Sequence, residues 1–162
     1  MAKKKINLLI VDDEEQFLKS MTKRLEVRDF HVIAVDRGEK AIEIARSQPV
    51  DVALVDLRMP GINGEQTLEA LKKEHPWMEV VILTGHGSID SAVECTKIGA
   101  YSYLQKPCEL DRLLLVLAEA YKKKVMNKMG IKEKRMNELL GMTTYSSPLS
   151  ILRRIRELDE ES

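Results

Sequence analysis

Cysteine is scarce in this sequence: its 162 residues include two, Cys95 and Cys108. They form no CxxC pair and have no metal-ligand spacing, which excludes the cysteine-based zinc and redox motifs. Both read as reduced thiols of a cytoplasmic protein, with Cys95 in the core. Long hydrophobic runs are also missing. None reaches the roughly 18 apolar residues of a membrane span. Lys3, Lys4 and Lys5 precede only a strand-length apolar run, so neither a signal peptide nor a membrane contact is expected. No Gly-rich phosphate loop follows that run; Asp12, Asp13 and Glu14 stand there instead. Those acids would repel a bare phosphate, which argues against a flavin or nucleotide binder. Internal repeats and low-complexity stretches are absent as well.

What is present is a soluble globular balance, 44% hydrophobic and 32% charged residues. The formal net charge is +0 but is unevenly spread. Residues 1–121 carry 16 Lys and Arg against 20 Asp and Glu, whereas residues 122–162 carry 10 against 6. The length suggests one domain over residues 1–121 and a helical extension or linker over 122–162. The acidic part suits a cation. The basic tail reads as a solvated helix face, and direct nucleic-acid binding is not expected of it.

Four apolar runs end in polar groups. Val52, Ala53, Leu54 and Val55 form a short run that reads as a buried strand, and Asp56 follows at once. Pro60, Gly61, Asn63 and Gly64 then break the chain into a loop. Leu8 to Val11 ends likewise in Asp12 and Asp13, Val80 to Leu83 ends in Thr84, and Tyr103 to Gln105 leads to Lys106. Open α/β sheets do their chemistry at the carboxyl ends of strands. Asp12, Asp13 and Asp56 in one crevice would raise one another's pKa unless a cation lay between them. Mg2+, a hard ion held by carboxylates and phosphate oxygens, is the expected cofactor. Three acids, a hydroxyl and a lysine outline a phosphoryl site in which Asp56 is the nucleophile.

At this point the residues resemble a known family. The Asp12-Asp13 pair, the segment Asp56-Leu57-Arg58-Met59-Pro60-Gly61-Ile62-Asn63-Gly64, the Thr84-Gly85 pair and the Lys106-Pro107 pair are similar to the receiver domain of two-component response regulators. The resemblance runs from about Ile6 to about Tyr121. Ile82 through Pro107 looks most like receivers of nitrogen-regulation-type transcription activators. It implies that Asp56 accepts a phosphoryl group from a phosphohistidine on a sensor histidine kinase. It implies a magnesium site of Asp12, Asp13, Asp56 and the backbone carbonyl of Arg58. It further implies that Thr84 and Lys106 meet the phosphoryl oxygens, that Tyr103 is the switch aromatic, and that Arg58 and His86 tune phosphate loss. A cis bond before Pro107 and a switching face of helix four, strand five and helix five belong to the same set. For Tyr103 the alternative is a half-buried strand tyrosine; for His86 it is an ordinary loop residue.

The rest of the chain alternates strand and helix. Strands are expected at Ile6–Val11, His31–Val35, Val52–Val55, Val80–Leu83 and Tyr101–Gln105. Helix one turns Phe17, Leu18, Met21 and Leu25 inward. Helix two starts at a capping Asp36 with Glu39 three residues on, and carries Ala41, Ile42 and Ala45. Helix three buries Leu68 and Leu71. Helix four starts at Ser88 and buries Ile89, Ala92, Val93 and Thr96, with Gly99 as its stop. Helix five starts near Glu109, carries Leu110, Leu113, Leu114, Leu117 and Tyr121, and continues to Met126. Such alternation predicts an α/β doubly wound five-stranded parallel sheet. The flavodoxin-like order 2-1-3-4-5 is the one that brings Asp12 and Asp13 to Asp56.

In the tail, Lys132–Leu140 and a segment opening at Ser147-Pro148 read as helices, with Thr143–Ser147 as a loop. Ile151, Leu152, Ile155 and Leu158 form an apolar stripe that needs cover from the chain itself, a second copy or another protein. The expectation is a homodimer, because a second copy supplies both this stripe and that of helix five twice. The functional rival is a magnesium-dependent phosphohydrolase with an Asp nucleophile. Such enzymes place an acid two residues after the nucleophile. Here that position is Arg58, which cannot accept a proton at neutral pH.

Overall fold

A computed structural model describes residues 4–141 and 147–161. The expected loop at Thr143–Ser147 therefore lies, apart from Ser147, outside the described residues. The strands are β1 (Ile6–Val11), β2 (Phe30–Val35), β3 (Val52–Val55), β4 (Glu79–Thr84) and β5 (Ser102–Gln105). They form one parallel sheet in the order β2-β1-β3-β4-β5. The helices are α1 (Glu15–Glu26), α2 (Gly38–Ser47), α3 (Gly64–Glu74), α4 (Ile89–Ile98), α5 (Leu110–Met129), α6 (Glu133–Leu140) and α7 (Pro148–Glu161).

The two-residue period of a strand divides the core. Ile6, Leu8 and Ile10 of β1 point into a cluster with Met21, Leu25, Leu113 and Leu117, on the α1 and α5 side. Leu9 and Val11 point into the other cluster, with Ala41, Leu68, Leu71 and Cys95 of α2, α3 and α4. Both sides of the sheet are thus covered, which is why its strands read as continuous apolar runs rather than alternating ones. The thiol of Cys95 is buried, as the sequence suggested.

Register then fixes the site. Val11 pairs with Val55, so the next residues, Asp12 and Asp56, emerge side by side. The Asp56 N–H donates to Val11 O at 2.9 Å. On the far side Thr84 pairs with Gln105, and the Lys106 N–H donates to Thr84 O at 2.9 Å. The Lys106–Pro107 peptide is cis. Asn63 caps α3 in a full capping box with Gln66, which holds the loop after Asp56 to the start of that helix. Gly64 is needed there, since a Cβ would stand 2.4 Å from the Asp56 carbonyl oxygen.

Three local expectations are corrected. Asp36 does not cap α2: the N-cap is Arg37, with no side-chain cap bond. Asp36 instead pairs with Lys40 at 2.9 Å, and Glu39 accepts from the Ile62 N–H at 2.9 Å, so each acid has a better partner than the helix end. In α4, Ile89 (83% exposed) and Val93 (48%) face outward, Thr96 is exposed, and Cys95 is the buried residue. The inward face carries the buried Cys95, with Ile98 packed against the same cluster and Ala92 half-buried, where α4 lies against α3 and β5. Ser88 does cap α4, and Gly99 ends it in the left-handed region.

The tail stripe is the third. Leu152, Ile155 and Leu158 of α7 are buried in the same cluster as Leu113, Leu117 and Tyr121 of α5, with Ile151 packed alongside. The chain covers its own stripe, so α7 gives no reason for pairing with a second copy. Polar contacts fix the dock. Tyr121 Oη donates to Asp159 Oδ2 at 2.9 Å, and Lys128 Nζ reaches Asp159 Oδ1 at 2.8 Å. Arg153 lies 2.6 Å from Asp29, and the buried Arg156 lies 3.9 Å from it. Gly130 ends α5 and Gly141 ends α6, each in the left-handed conformation that glycine tolerates.

Candidate functional site

Each functional side chain leaves the end of a strand. Asp12 and Asp56 are 1% and 3% exposed, Thr84 is fully buried, and Asp13 is open to solvent. One carboxylate oxygen from each of Asp12, Asp13 and Asp56 lies within 4.8 Å of the others. Like charges this close, two of them out of water, call for a counter-cation. Lys106 supplies one. Its Nζ lies 2.6 Å from Asp12 Oδ2 and 3.2 Å from Glu14 Oε1. It also sits 4.0 Å over the Phe17 ring, where the aromatic face favours a cation.

Backbone donors orient the acids. The Glu14 N–H donates to Asp12 Oδ1 and the Leu57 N–H to Asp56 Oδ1, each at 2.9 Å. This leaves Asp12 Oδ2 to accept from Lys106. Burial pushes the Asp12 carboxyl above its ordinary value, and the Lys106 hydrogen bond offsets only part of this. Burial also acts to lower the Lys106 ammonium, but the hydrogen bond to Asp12 and the charges of Asp12 and Asp56 hold it above its ordinary value. Both partners shift upward for different reasons: burial outweighs the lysine at Asp12, whereas Lys106 gains from Asp12, Asp56 and Glu14 together. The pocket penalises the acid more than a single cation can repay.

An open cleft of about 550 Å³ leads to these groups, lined by Asp13, Glu14, Leu57, Arg58, Met59, Pro60, Asn63 and His86. Arg58 and His86 thus stand at the mouth. The His86 N–H donates to Thr84 Oγ1 at 3.1 Å. Tyr103 is half-buried and lies away from the carboxylates, its hydroxyl 2.7 Å from Ser91 Oγ and 3.2 Å from the donating Ser88 N–H. The structure therefore brings Asp12, Asp13, Asp56 and Lys106 together. It ties Thr84 to His86, sets Arg58 at the rim, and holds Tyr103 on α4.

Sequence reasoning passed over Glu14 and Phe17 around the lysine, and Ser91 beside the tyrosine. Glu14 stood in the acidic run already noted. Ser91 had a signal too, a hydroxyl three residues after the cap Ser88. The Phe17–Lys106 contact links residues far apart in the chain and has no local signature.

The described residues include no helix long and apolar enough to cross a membrane. The response regulator receiver domain family matches residues 8–118. A response regulator described as NtrX-like from Rickettsia conorii is 36% identical over 117 residues, 71% of this chain and 25% of that protein. The transcriptional regulatory protein GlrR of Escherichia coli K12 is 36% identical over 120 residues, 74% of this chain and 27% of that protein. The chain thus spans about a quarter of the length of these relatives. Among solved structures, a CheY-like response regulator receiver domain protein from Methanospirillum hungatei superposes with a TM-score of 0.73 at 26% identity, over 76% of this chain and 98% of that one. Sheet order, strand-end chemistry and these matches agree: the chain belongs to the response regulator receiver family, and it is a receiver domain of two-component signalling.

Proposed function

We propose that Asp56 is the residue that takes the phosphoryl group, delivered from a phosphohistidine of a sensor histidine kinase. One observation carries the reading: three carboxylates converge within 4.8 Å at the strand ends, with Lys106 bonded to one of them. Asp12, Asp13, Asp56 and the Arg58 carbonyl would hold magnesium, and the all-oxygen donor set suits that hard cation. When bound, magnesium supplies positive charge opposite the transferring phosphoryl oxygens. Asp56 attacks phosphorus in line. The new P–O bond forms as the P–N bond breaks, and the electron pair returns to the imidazole, which takes up a proton. Lys106, poised 2.6 Å from Asp12, moves onto a phosphoryl oxygen, and Thr84 donates its hydroxyl to another.

This makes the chain a phosphoacceptor that assists its own phosphorylation and dephosphorylation rather than an enzyme acting on others. Arg58 and His86, at the cleft mouth, govern water access to the acyl phosphate and so its lifetime. Residues 1–121 are the receiver and 122–162 its helical extension, in a cytoplasmic protein whose two thiols stay reduced. The output face is that of α4, β5 and α5. It presents Ile89 and Val93 to solvent, which supports this face, not α7, as the place where two copies would pair. The test is mass spectrometry after incubation with acetyl phosphate and magnesium. One phosphoryl group is expected on wild type and none on Asp56→Asn; an adduct persisting in the variant would overturn the assignment.

A further inference from the structure

Tyr103 is held by a closed circuit at the start of α4. The Ser88 N–H donates to Tyr103 Oη at 3.2 Å. Tyr103 Oη and Ser91 Oγ are 2.7 Å apart, and Ser91 Oγ donates onward to Ser88 O at 3.0 Å. With the tyrosine donating to Ser91, every hydroxyl in the circuit both gives and receives a hydrogen bond. Ser91 has two duties, since its oxygen also lies 3.1 Å from the Ser88 N–H in the α4 capping box. Gly87 completes the seat. A Cβ there would stand 2.6 Å from Tyr103 Oη, although the Gly87 backbone lies outside the left-handed region and would accept alanine. The room for the hydroxyl is therefore made by the missing side chain.

We propose that Ser91 is a positioning residue that latches Tyr103 to the α4 N-terminus, so that this cap sets how readily the α4–β5–α5 face switches. The inference rests on the phosphoacceptor reading and adds a specific residue to it. In the unphosphorylated chain the latch stabilises the α4-bound setting of Tyr103. Any setting in which the ring leaves α4 must break the Ser91 and Ser88 contacts. Ser91 thereby opposes phosphorylation, because a ligand that favours the released setting binds more weakly when that setting is sparsely populated.

The test compares Ser91→Ala, Ser91→Thr, Gly87→Ala, Tyr103→Phe and the Ser91→Ala/Tyr103→Phe double variant in the full chain. Two quantities are read: the Tyr103 ring carbon shifts by NMR without phosphate, and the initial rate of Asp56 phosphorylation by acetyl phosphate at fixed magnesium. Loss of one neutral hydrogen bond should move the population and the rate about two- to ten-fold. Ser91→Ala is expected to shift the Tyr103 ring signals toward their phosphorylated positions and to raise the rate. Gly87→Ala should act in the same direction and Ser91→Thr should stay near wild type. In the Tyr103→Phe background Ser91→Ala should change the rate no further. An effect of Ser91→Ala that persists undiminished in that background would reduce Ser91 to a helix cap and overturn the proposal; unchanged ring signals in both Ser91→Ala and Gly87→Ala would do the same. The ring signals test the latch even in a chain that takes no phosphoryl group, so failure of the phosphoacceptor reading is seen separately.

Discussion

The two ends of the sheet both gather carboxylates, and they treat them in opposite ways. At the carboxyl end Asp12, Asp13 and Asp56 crowd within 4.8 Å, and the lysine beside them, Lys106, is bonded to Asp12 and Glu14. At the amino end each of four acids has a cation within 4.0 Å, and Lys124 is shared by Asp51 and Asp159. Asp29 faces Arg153 at 2.6 Å and Arg156 at 3.9 Å, Asp51 faces Lys124 at 2.7 Å, Glu79 faces Lys72 at 3.8 Å, and Asp159 faces Lys128 at 2.8 Å. Asp51 also accepts from the Asn7 N–H at 2.8 Å. Asp29, Asp51 and Asp159 are matched by close cations, and Glu79 is the exception, since burial pushes its carboxyl above its ordinary value despite Lys72. The acids at the carboxyl end are left short of positive charge, and under the proposed function that shortfall would attract a cation and then a phosphoryl group. The α7 dock belongs to the first kind and the receiver site to the second.

The sharpest way to break this contrast is to remove one acid from each end. Asp29→Ala leaves the buried Arg156 guanidinium without its carboxylate, and it puts alanine at φ 67, a left-handed setting that aspartate tolerates better. A loss of about 1–3 kcal/mol is expected, below the full cost for a buried pair because Asp29 is partly exposed. Asp13→Asn at the site relieves like-charge repulsion, so stability should hold within about 0.5 kcal/mol or rise. Urea midpoints at pH 7 without magnesium decide it. A silent Asp29→Ala beside a costly Asp13→Asn would reverse the contrast.

A smaller effect concerns acid. Burial acts to raise the Asp159 carboxyl, but hydrogen bonds from Lys128 and Tyr121 and the charge of Lys124 outweigh it and leave the group below its ordinary 3.8. A depressed folded-state value stabilises the fold at pH above the unfolded value. That contribution disappears as pH falls through the folded value. Asp159→Asn should therefore cost about 1 kcal/mol at pH 7 and flatten the loss of stability below pH 4. Denaturation at pH 7 and pH 3 checks the sign: a variant as steeply acid-labile as wild type would mean that Asp159 does not carry this dependence.

How much of this could be read in the sequence depended on whether the signal was local. Asp56 was legible because a four-residue apolar run ended on it and turn formers followed. The strand order followed once Asp12 and Asp56 had to meet. The inward face of α4 was not legible, since Ile89 and Val93 repeat at helical spacing as well as Ala92, Cys95 and Ile98 do. Periodicity shows that a face exists without choosing between two. Asp36 and Glu39 had the spacing of a capping box, yet Lys40 and the Ile62 N–H, the second of them brought near only by folding, took them. The α7 stripe announced that it needed cover, but its partner on α5 was a matter of tertiary geometry. For the same reason Ser91 was passed over: its spacing from Ser88 speaks to the helix cap and not to Tyr103.

The central claim is that the carboxyl end binds a divalent cation because its acids are under-compensated, and that the acid-rich amino end does not. Titration calorimetry with magnesium chloride at pH 7 tests it on wild type, Asp12→Asn, Asp13→Asn and Asp51→Asn. One ion per chain is expected for wild type and for Asp51→Asn, with affinity reduced by at least about tenfold in Asp12→Asn and Asp13→Asn. Magnesium binding unchanged in both site variants, or lost in Asp51→Asn alone, would contradict the account.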